Sequence, residues 1–256
     1  MRLLSAGLLT PPHTHPRLVL GLQGVRAAIR AHGARLGSVL LEREDAPRLA
    51  ALARFARDQA VPDVQVVGRA ALDRLAGPVH HQGVAAWAPE LSLVPFEPLL
   101  QDPALLGLVL DRVQDPQNFG AVLRSSVGLG ASAVIWGEHA SAPLGPGTLR
   151  AAAGAAEFAR LCRVSSLPPA LTQARDQGVT VVGLDAQASE PLHRLDLRRP
   201  TLIIVGSEHE GMTPAVRRAA SVFARLALPG PIESLNASVA AAIALYEVKR
   251  QRETRT

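Results

Sequence analysis

The chain has 256 residues, 48% of them hydrophobic and only 3% aromatic, enough for one large or two small domains with a core of Ala, Val and Leu. Its formal net charge is +5, and Lys249 is its only lysine, so 26 of the 27 basic residues are arginines suited to planar, bidentate contacts with phosphate. One cysteine, Cys162, excludes a disulfide framework and a cysteine-ligated metal, and no run reaches the ~18 apolar residues of a membrane helix.

In chain order, residues 1–16 are loose, with Pro11, Pro12 and Pro16. The stretch "MRLLSAGLL" is followed by "TPPHTHP" without a small-residue cleavage site, so a cytoplasmic protein is expected. Helix 22–32, strand 37–42, helix 46–60, strand 63–67, helix 69–75 and strand 83–88 then alternate as a small α/β domain over residues 1–88. That part holds eleven arginines against six acids, whereas residues 89–256 hold sixteen basic and sixteen acidic residues. The whole surplus is therefore N-terminal, which suits an anionic partner as well as an ordinary solvated surface. Arg26 and Arg30 share one helix face, and Arg54 and Arg57 another.

Residues 89–104 contain Pro89, Pro95, Pro98 and Pro103 without periodicity and read as a linker. The second domain, 105–256, is expected to run strand 105–110, helix 118–129, strand 132–136, helix 148–157, strand 160–164, helix 167–177 and strand 179–184. Strand 201–206, helix 213–220, strand 222–228 and a last helix from about 236 complete it. Strands alternating with helices predict a mostly parallel sheet covered on both faces. On the last helix the apolar stripe is Leu235, Val239, Ala242, Ile243 and Tyr246. Ser234 reads as its N-cap, and Lys249, Arg250 and Arg252 as partners of its dipole.

Three strand ends are unusually polar or glycine-rich: "DRVQDPQNFG" (111–120), "GSEHEG" (206–211) and "PGPIESLNAS" (229–238). Ligands of open α/β sheets gather beyond the carboxyl ends of strands, so three such loops suggest one site. Competing motifs fail on position. "GLGASA" (128–133) closes a helix instead of opening one, so it is no dinucleotide loop. "GSEHEG" is neither a nucleophile elbow nor HExxH. His80 and His81, like His13 and His15, read as surface residues without metal-ligand spacing.

Together the segments "DRVQDPQNFGAVLRSS", "IIVGSEHEGM" and "LALPGPIESLNASVAAAIALYE" resemble the three motifs of the SpoU/TrmH family of RNA ribose 2′-O-methyltransferases, within the SPOUT superfamily. The first domain, ending in "VHHQGVAAW", is similar to the substrate-binding domain of the ribosomal-RNA members, which has the fold of small RNA-binding ribosomal proteins. The resemblance departs at Ala227, His209 and Ala237, where the motifs commonly carry Pro, Gly and Val. It implies a C-terminal α/β domain whose parallel sheet is closed by a trefoil knot, a homodimer, and methylation of a ribose 2′-hydroxyl in ribosomal RNA. The cofactor implied is S-adenosyl-L-methionine, without a metal and without a membrane. Leu184, Gly206, Gly211, Leu226 and Leu235 would contact the cofactor. Asn118, Arg124, Glu208, Ser234 and Asn236 would form the catalytic group, with Arg124 meeting the target ribose and its phosphate. Methylation of transfer RNA, or a ribosome-assembly factor that binds RNA without catalysis, stand as alternatives.

Overall fold

The computed structural model describes residues 16–253 except 140, 143, 209 and 233; His13, His15 and His209 lie outside the described residues. The chain divides into two compact units, Met1–Leu91 with Ala153–Phe158, and Ser92–Ala152 with Ala159–Thr256.

In the first unit, β1 (Arg17–Leu20), α1 (Leu22–His32), β2 (Ser38–Leu41), α2 (Pro47–Asp58), β3 (Val64–Val66), α3 (Arg69–Ala76) and β4 (Val84–Ala88) follow one another. The sheet order is β1-β4-β2-β3, with β2 and β3 parallel and β4 antiparallel to both β1 and β2. Side chains alternate between sheet faces with period two. Val39, Leu41, Val84 and Ala86 therefore pack with Val25 and Ile29 of α1 and Leu52 of α2. Leu40, Ala85 and Trp87 pack on the opposite face with Leu72 of α3. The strand β1 is missing from the sequence reading because Pro16 and the prolines before it suggested only a loose start.

The second unit contains α4 (Glu97–Leu100), β5 (Leu106–Leu110), α5 (Pro116–Gly128), β6 (Ala133–Gly137), α6 (Pro146–Ala151), β7 (Leu161–Val164), α7 (Leu167–Asp176) and β8 (Thr180–Leu184). It closes with β9 (Thr201–Val205), α8 (Pro214–Ala219), β10 (Val222–Ala224) and α9 (Ala237–Glu253). All six strands are parallel, in the order β10-β8-β9-β5-β6-β7. Every residue of β5, β6 and β9 is buried, as a parallel sheet covered on both faces requires. One face carries α4, α7 and α8 in a single apolar cluster; α5 and α9 pack together and approach the sheet at β5, β6 and β9.

Four sequence expectations change here. Residues 92–104 are not a free linker: the Val94 N–H donates to the Leu161 carbonyl at 2.7 Å, and Phe96, Leu99 and Leu100 are buried in the second core. Proline is tolerated in the first turn of a helix, so Pro98 concealed α4 instead of excluding it. The helix expected over 148–157 stops at Ala151, because Ala153 (φ 49°) and Gly154 (φ 88°) turn left-handed. Residues 153–158 join the first unit, where a Cβ on Gly154 would lie 2.4 Å from that of Ala27 and both Glu157 oxygens accept from Arg17 at 2.7 Å.

The third change concerns α9. Its buried apolar residues are Ala237, Ala241, Ala244, Leu245 and Val248, whereas Val239, Ile243 and Tyr246 of the expected stripe are 47%, 42% and 59% exposed. The helix is apolar on two sides, and periodicity alone does not say which one faces the core. The fourth concerns Arg252, which does more than complement a dipole. Its guanidinium donates to the carbonyls of Ala104, Leu105, Leu197 and Arg199 at 2.7 to 3.1 Å, tying the end of α9 to the entry of β5. No described helix is long and apolar enough to cross a membrane.

Candidate active site

The carboxyl ends of β10, β8 and β9, neighbours in the sheet, open into a cavity of about 290 Å³. Leu184, Gly206, Gly211, Leu226 and Leu235 all lie on its wall, as do Glu208 and Ser234. The loop after β9 turns back on itself: Ser207 and Gly211 exchange N–H···O bonds at 3.0 Å in both directions. A Cβ on Gly206 would sit 2.2 Å from the Gly211 carbonyl carbon and 2.4 Å from the Met212 nitrogen, so only glycine permits this fold-back. Gly211 itself has φ +65°.

Two groups following β5 anchor the far side of that loop. The buried Asp111 accepts from the Thr213 N–H at 2.6 Å, and the Arg112 guanidinium meets the Glu210 carboxylate at 2.6 Å. Arg112 takes a left-handed conformation, φ 58°, to do so. Thr213 then caps α8 through its hydroxyl.

The residues of the first motif divide. Asp115 is the N-cap of α5, accepting from the Gln117 N–H at 3.0 Å, and Pro116 occupies its first turn. Gly120 permits close approach of α6: a Cβ there would lie 2.4 Å from that of Ala151 and 2.5 Å from the Thr148 oxygen. Asn118 is buried and donates to Glu208 Oε1 at 2.5 Å, and Asn236 donates to the same oxygen at 2.6 Å and to Asn118 Oδ1 at 2.9 Å. One carboxylate thus joins the starts of α5 and α9 to the loop after β9. A carboxylate is an acceptor on both oxygens, and amide N–H groups suit it.

Asn236, not Ser234, caps α9: its Oδ1 accepts from the Ser238 N–H at 2.9 Å and the Ser238 hydroxyl at 2.6 Å. Both residue types favour that position, and only the observed start at Ala237 separates them. Ser234 is instead exposed on the cavity wall. Arg124 stands apart from this cluster. It is exposed on α5 beside the buried Val122 and Leu123, and does not line the cavity.

The sequence reading missed Asp185 and Arg217, which also line the cavity and form an ion pair, with the Arg217 guanidinium 4.2 Å from the centroid of the Phe223 ring. Partial burial pushes the Asp185 carboxyl up, but the hydrogen bond from Arg217, that from the Gln187 N–H and the Arg217 charge together hold it below its ordinary value. Asp185 follows directly on β8, a detectable signal; Arg217 lies on a short helix and carries none. His81, expected at the surface, is buried with Nε2 2.9 Å from Asp73. Among the described residues no group of three His, Cys, Asp or Glu is placed to hold a metal ion.

Residues 106–246 match the SpoU rRNA Methylase family, and residues 18–93 match the RNA 2′-O ribose methyltransferase substrate binding family. This chain belongs to the SpoU rRNA methylase family. It is 35% identical over 242 residues to the 23S rRNA (guanosine-2′-O-)-methyltransferase RlmB of Xanthomonas campestris, covering 91% of this chain and 96% of that protein. It is 36% identical to an uncharacterized tRNA/rRNA methyltransferase of Mycolicibacterium gilvum, covering 92% of this chain and 76% of that one. Among solved structures it is similar to the SpoU methyltransferase AviRb from Streptomyces viridochromogenes in complex with AdoMet. The TM-score is 0.76 at 25% identity, covering 97% of this chain and 96% of that chain.

Proposed function

We propose that this SpoU-family chain transfers a methyl group from S-adenosylmethionine to a ribose 2′-hydroxyl of ribosomal RNA, in the cytoplasm. The observation that carries the reading is the cavity at the ends of β8, β9 and β10, with Glu208 on its wall holding Asn118 and Asn236. The cavity wall at Gly206, Gly211, Leu184, Leu226 and Leu235 is small or apolar, which suits an adenine held by backbone groups, and the fold-back that shapes it tolerates no Cβ at Gly206. The cofactor supplies an electrophilic methyl group on a positively charged sulfur. The protein's own task is orientation, which accounts for a large share of the barrier in such transfers. In this reading Glu208 fixes the two amides, Ser234 on the cavity wall contacts the reacting groups, and Arg124 holds the ribose and its phosphate. An arginine stays protonated, so Arg124 orients the 2′-oxygen and the proton passes to another acceptor.

The partner subunit in this proposal is a second copy of the chain. Val239, Ile243 and Tyr246 form an exposed apolar strip along α9 that has no partner among the described residues. Arg124 would then serve the cavity of the other subunit. Ile243→Asp should convert the dimer to a monomer in light scattering; an unchanged mass overturns the dimer surface. The same domain is taken to close as a trefoil knot, with the chain after about residue 205 threading an earlier loop, against the general rarity of knots. An experimental structure without that threading overturns it.

In the division of labour proposed here, residues 1–88 hold the RNA, and 105–256, with 92–104 packed into their core, carry the methyl transfer. Methyl transfer from radiolabelled cofactor to undermodified ribosomal RNA tests the reaction. Labelling of transfer RNA instead favours the second reading, to which the name of the Mycolicibacterium gilvum relative lends weight. Binding without label on either RNA supports a non-catalytic assembly factor.

A further inference from the structure

The first unit has a cavity of its own, about 290 Å³, beyond the carboxyl ends of the parallel strands β2 and β3. Its walls are Glu42, immediately after β2, Arg69 and Asp73 on α3, and the loop carrying His80, His81 and Gln82. This loop is built rigidly. Gln82 takes φ 53° between the left-handed Gly77 and Gly83, and its side-chain oxygen accepts the first N–H of α1, from Leu22, at 2.9 Å. The Gly83 N–H donates to His81 Nδ1 at 3.0 Å, so the ring proton sits on Nε2 and is donated to Asp73 Oδ1 at 2.9 Å. The other Asp73 oxygen lies 3.7 Å from Arg69 Nε. A buried imidazole thus holds one oxygen of the Asp73 carboxylate, and the exposed Arg69 guanidinium lies within ion-pair distance of the other.

Glu42 on the same cavity wall is half-buried, and its carboxylate has no hydrogen-bond or ion-pair partner among the described residues. His80 is exposed beside His81, ring centroids 6.5 Å apart and planes 30° from parallel. Two carboxylates against one guanidinium make the cavity poor for a phosphate. Its chemistry instead matches a neutral, flat ligand that offers N–H donors on one edge and acceptors on another. RNA-binding proteins read unpaired bases in this way, by hydrogen bonds to base edges and stacking on planar side chains. A guanidinium pairs with guanine O6 and N7, and a carboxylate accepts from guanine N1–H and the exocyclic amine. Arg74, next to Asp73 in the chain, is exposed and has no acidic partner among the described residues, so it is a cation available to a flanking phosphate.

We propose that this cavity binds one unpaired guanine of the RNA, read by Glu42 and Arg69 and stacked on His80, and so contributes to the choice of substrate. The proposal rests on the RNA-binding reading of the first unit.

The full chain is titrated with the pentaribonucleotides UUGUU, UUAUU, UUCUU and UUUUU, following affinity by anisotropy and the histidine ring signals by NMR. UUGUU should bind roughly tenfold or more tightly than the others and shift the His80 ring. Glu42→Gln and Arg69→Ala, both changes at solvent-accessible side chains, should each abolish that margin. Equal affinity for the four oligonucleotides, no measurable binding of UUGUU, or a margin that survives both substitutions overturns the proposal. Methyl transfer to ribosomal RNA is assayed on the same wild-type preparation. Labelled RNA without guanine preference removes only this cavity, whereas absence of labelling on any RNA removes the functional reading whatever the oligonucleotides show.

Discussion

Arg124 on helix α5 and Asp185 at the end of β8 are both charged residues, yet their surroundings assign them opposite duties. Arg124 is exposed, with no ion pair or hydrogen-bond partner among the described residues, and surface substitutions of that kind usually change stability by less than ~0.5 kcal/mol. Arg124→Ala is therefore expected to remove turnover while cofactor affinity by calorimetry and the melting temperature stay unchanged. A large fall in the melting temperature would make it a structural residue. Mixed with a Gly206→Ala subunit, the Arg124→Ala subunit should regain activity if the two sites are shared across the dimer. Asp185, by contrast, is held below its ordinary carboxyl value of 3.8 by Arg217 and the Gln187 N–H against the opposing effect of burial. A folded value below the unfolded one means that the contribution is complete above about 3.8 and is lost as the pH falls through the folded value. The stability margin of wild type over Asp185→Asn should accordingly shrink in that acid window and hold steady at neutral pH. A margin independent of pH there would show that the pair contributes nothing.

Glycine explains much at the scale of elements. Gly206 and Gly120 have ordinary backbone angles, and what they supply is room: at each, a Cβ would fall within 2.6 Å of backbone atoms of a neighbouring segment. Gly206→Ala must push the Ser207–Gly211 bridge outward, and we expect cofactor affinity to fall to the limit of detection, with the sheet still folded by circular dichroism. Unchanged affinity would remove the fold-back from the cofactor site. The elements themselves were largely legible, since β5, β6 and β9 are continuous apolar runs and α5 opens on Asp-Pro. The illegible ones have two causes. In α4 and β1, proline obscured elements that tertiary contacts stabilise, and in α9 two apolar stripes competed for the core, a contest that packing of α9 against α5 decided.

Across the first unit, the charge surplus proves to be distributed unevenly among its arginines. Arg17, Arg43, Arg57 and Arg69 face carboxylates at Glu157, Asp45, Glu44 and Asp73, and Arg26 lies over the Phe55 ring at 5.1 Å. Arg30, Arg48, Arg54 and Arg74 are exposed without an acidic partner among the described residues. Trp87 is buried, so general affinity for RNA depends on these cations more than on stacking. Each phosphate neutralised releases counterions and steepens the salt dependence. Replacing Arg30, Arg48 and Arg54 by Ala should weaken RNA binding and reduce the slope of log affinity against log salt by up to about one per lost contact. Cofactor affinity should not move. An unaltered slope would return these residues to the solvated surface.

Sequence by itself determined the alternation of strands and helices, the placement of three polar loops at strand ends and the family, because periodicity and turn chemistry are local and are written in consecutive residues. Through the resemblance its motifs carry, it also named Leu184, Gly206, Gly211, Leu226 and Leu235 as one group, and these residues line one cavity together with Glu208. Only the tertiary structure decided that Asn118 and Asn236, 118 positions apart, meet on one oxygen of Glu208, and that Arg217 joins Asp185 on the cavity wall. It likewise decided that residues 153–158 belong with the first unit. Contacts between distant segments depend on strand order, here β10-β8-β9-β5-β6-β7, and no local pattern encodes which strands become neighbours.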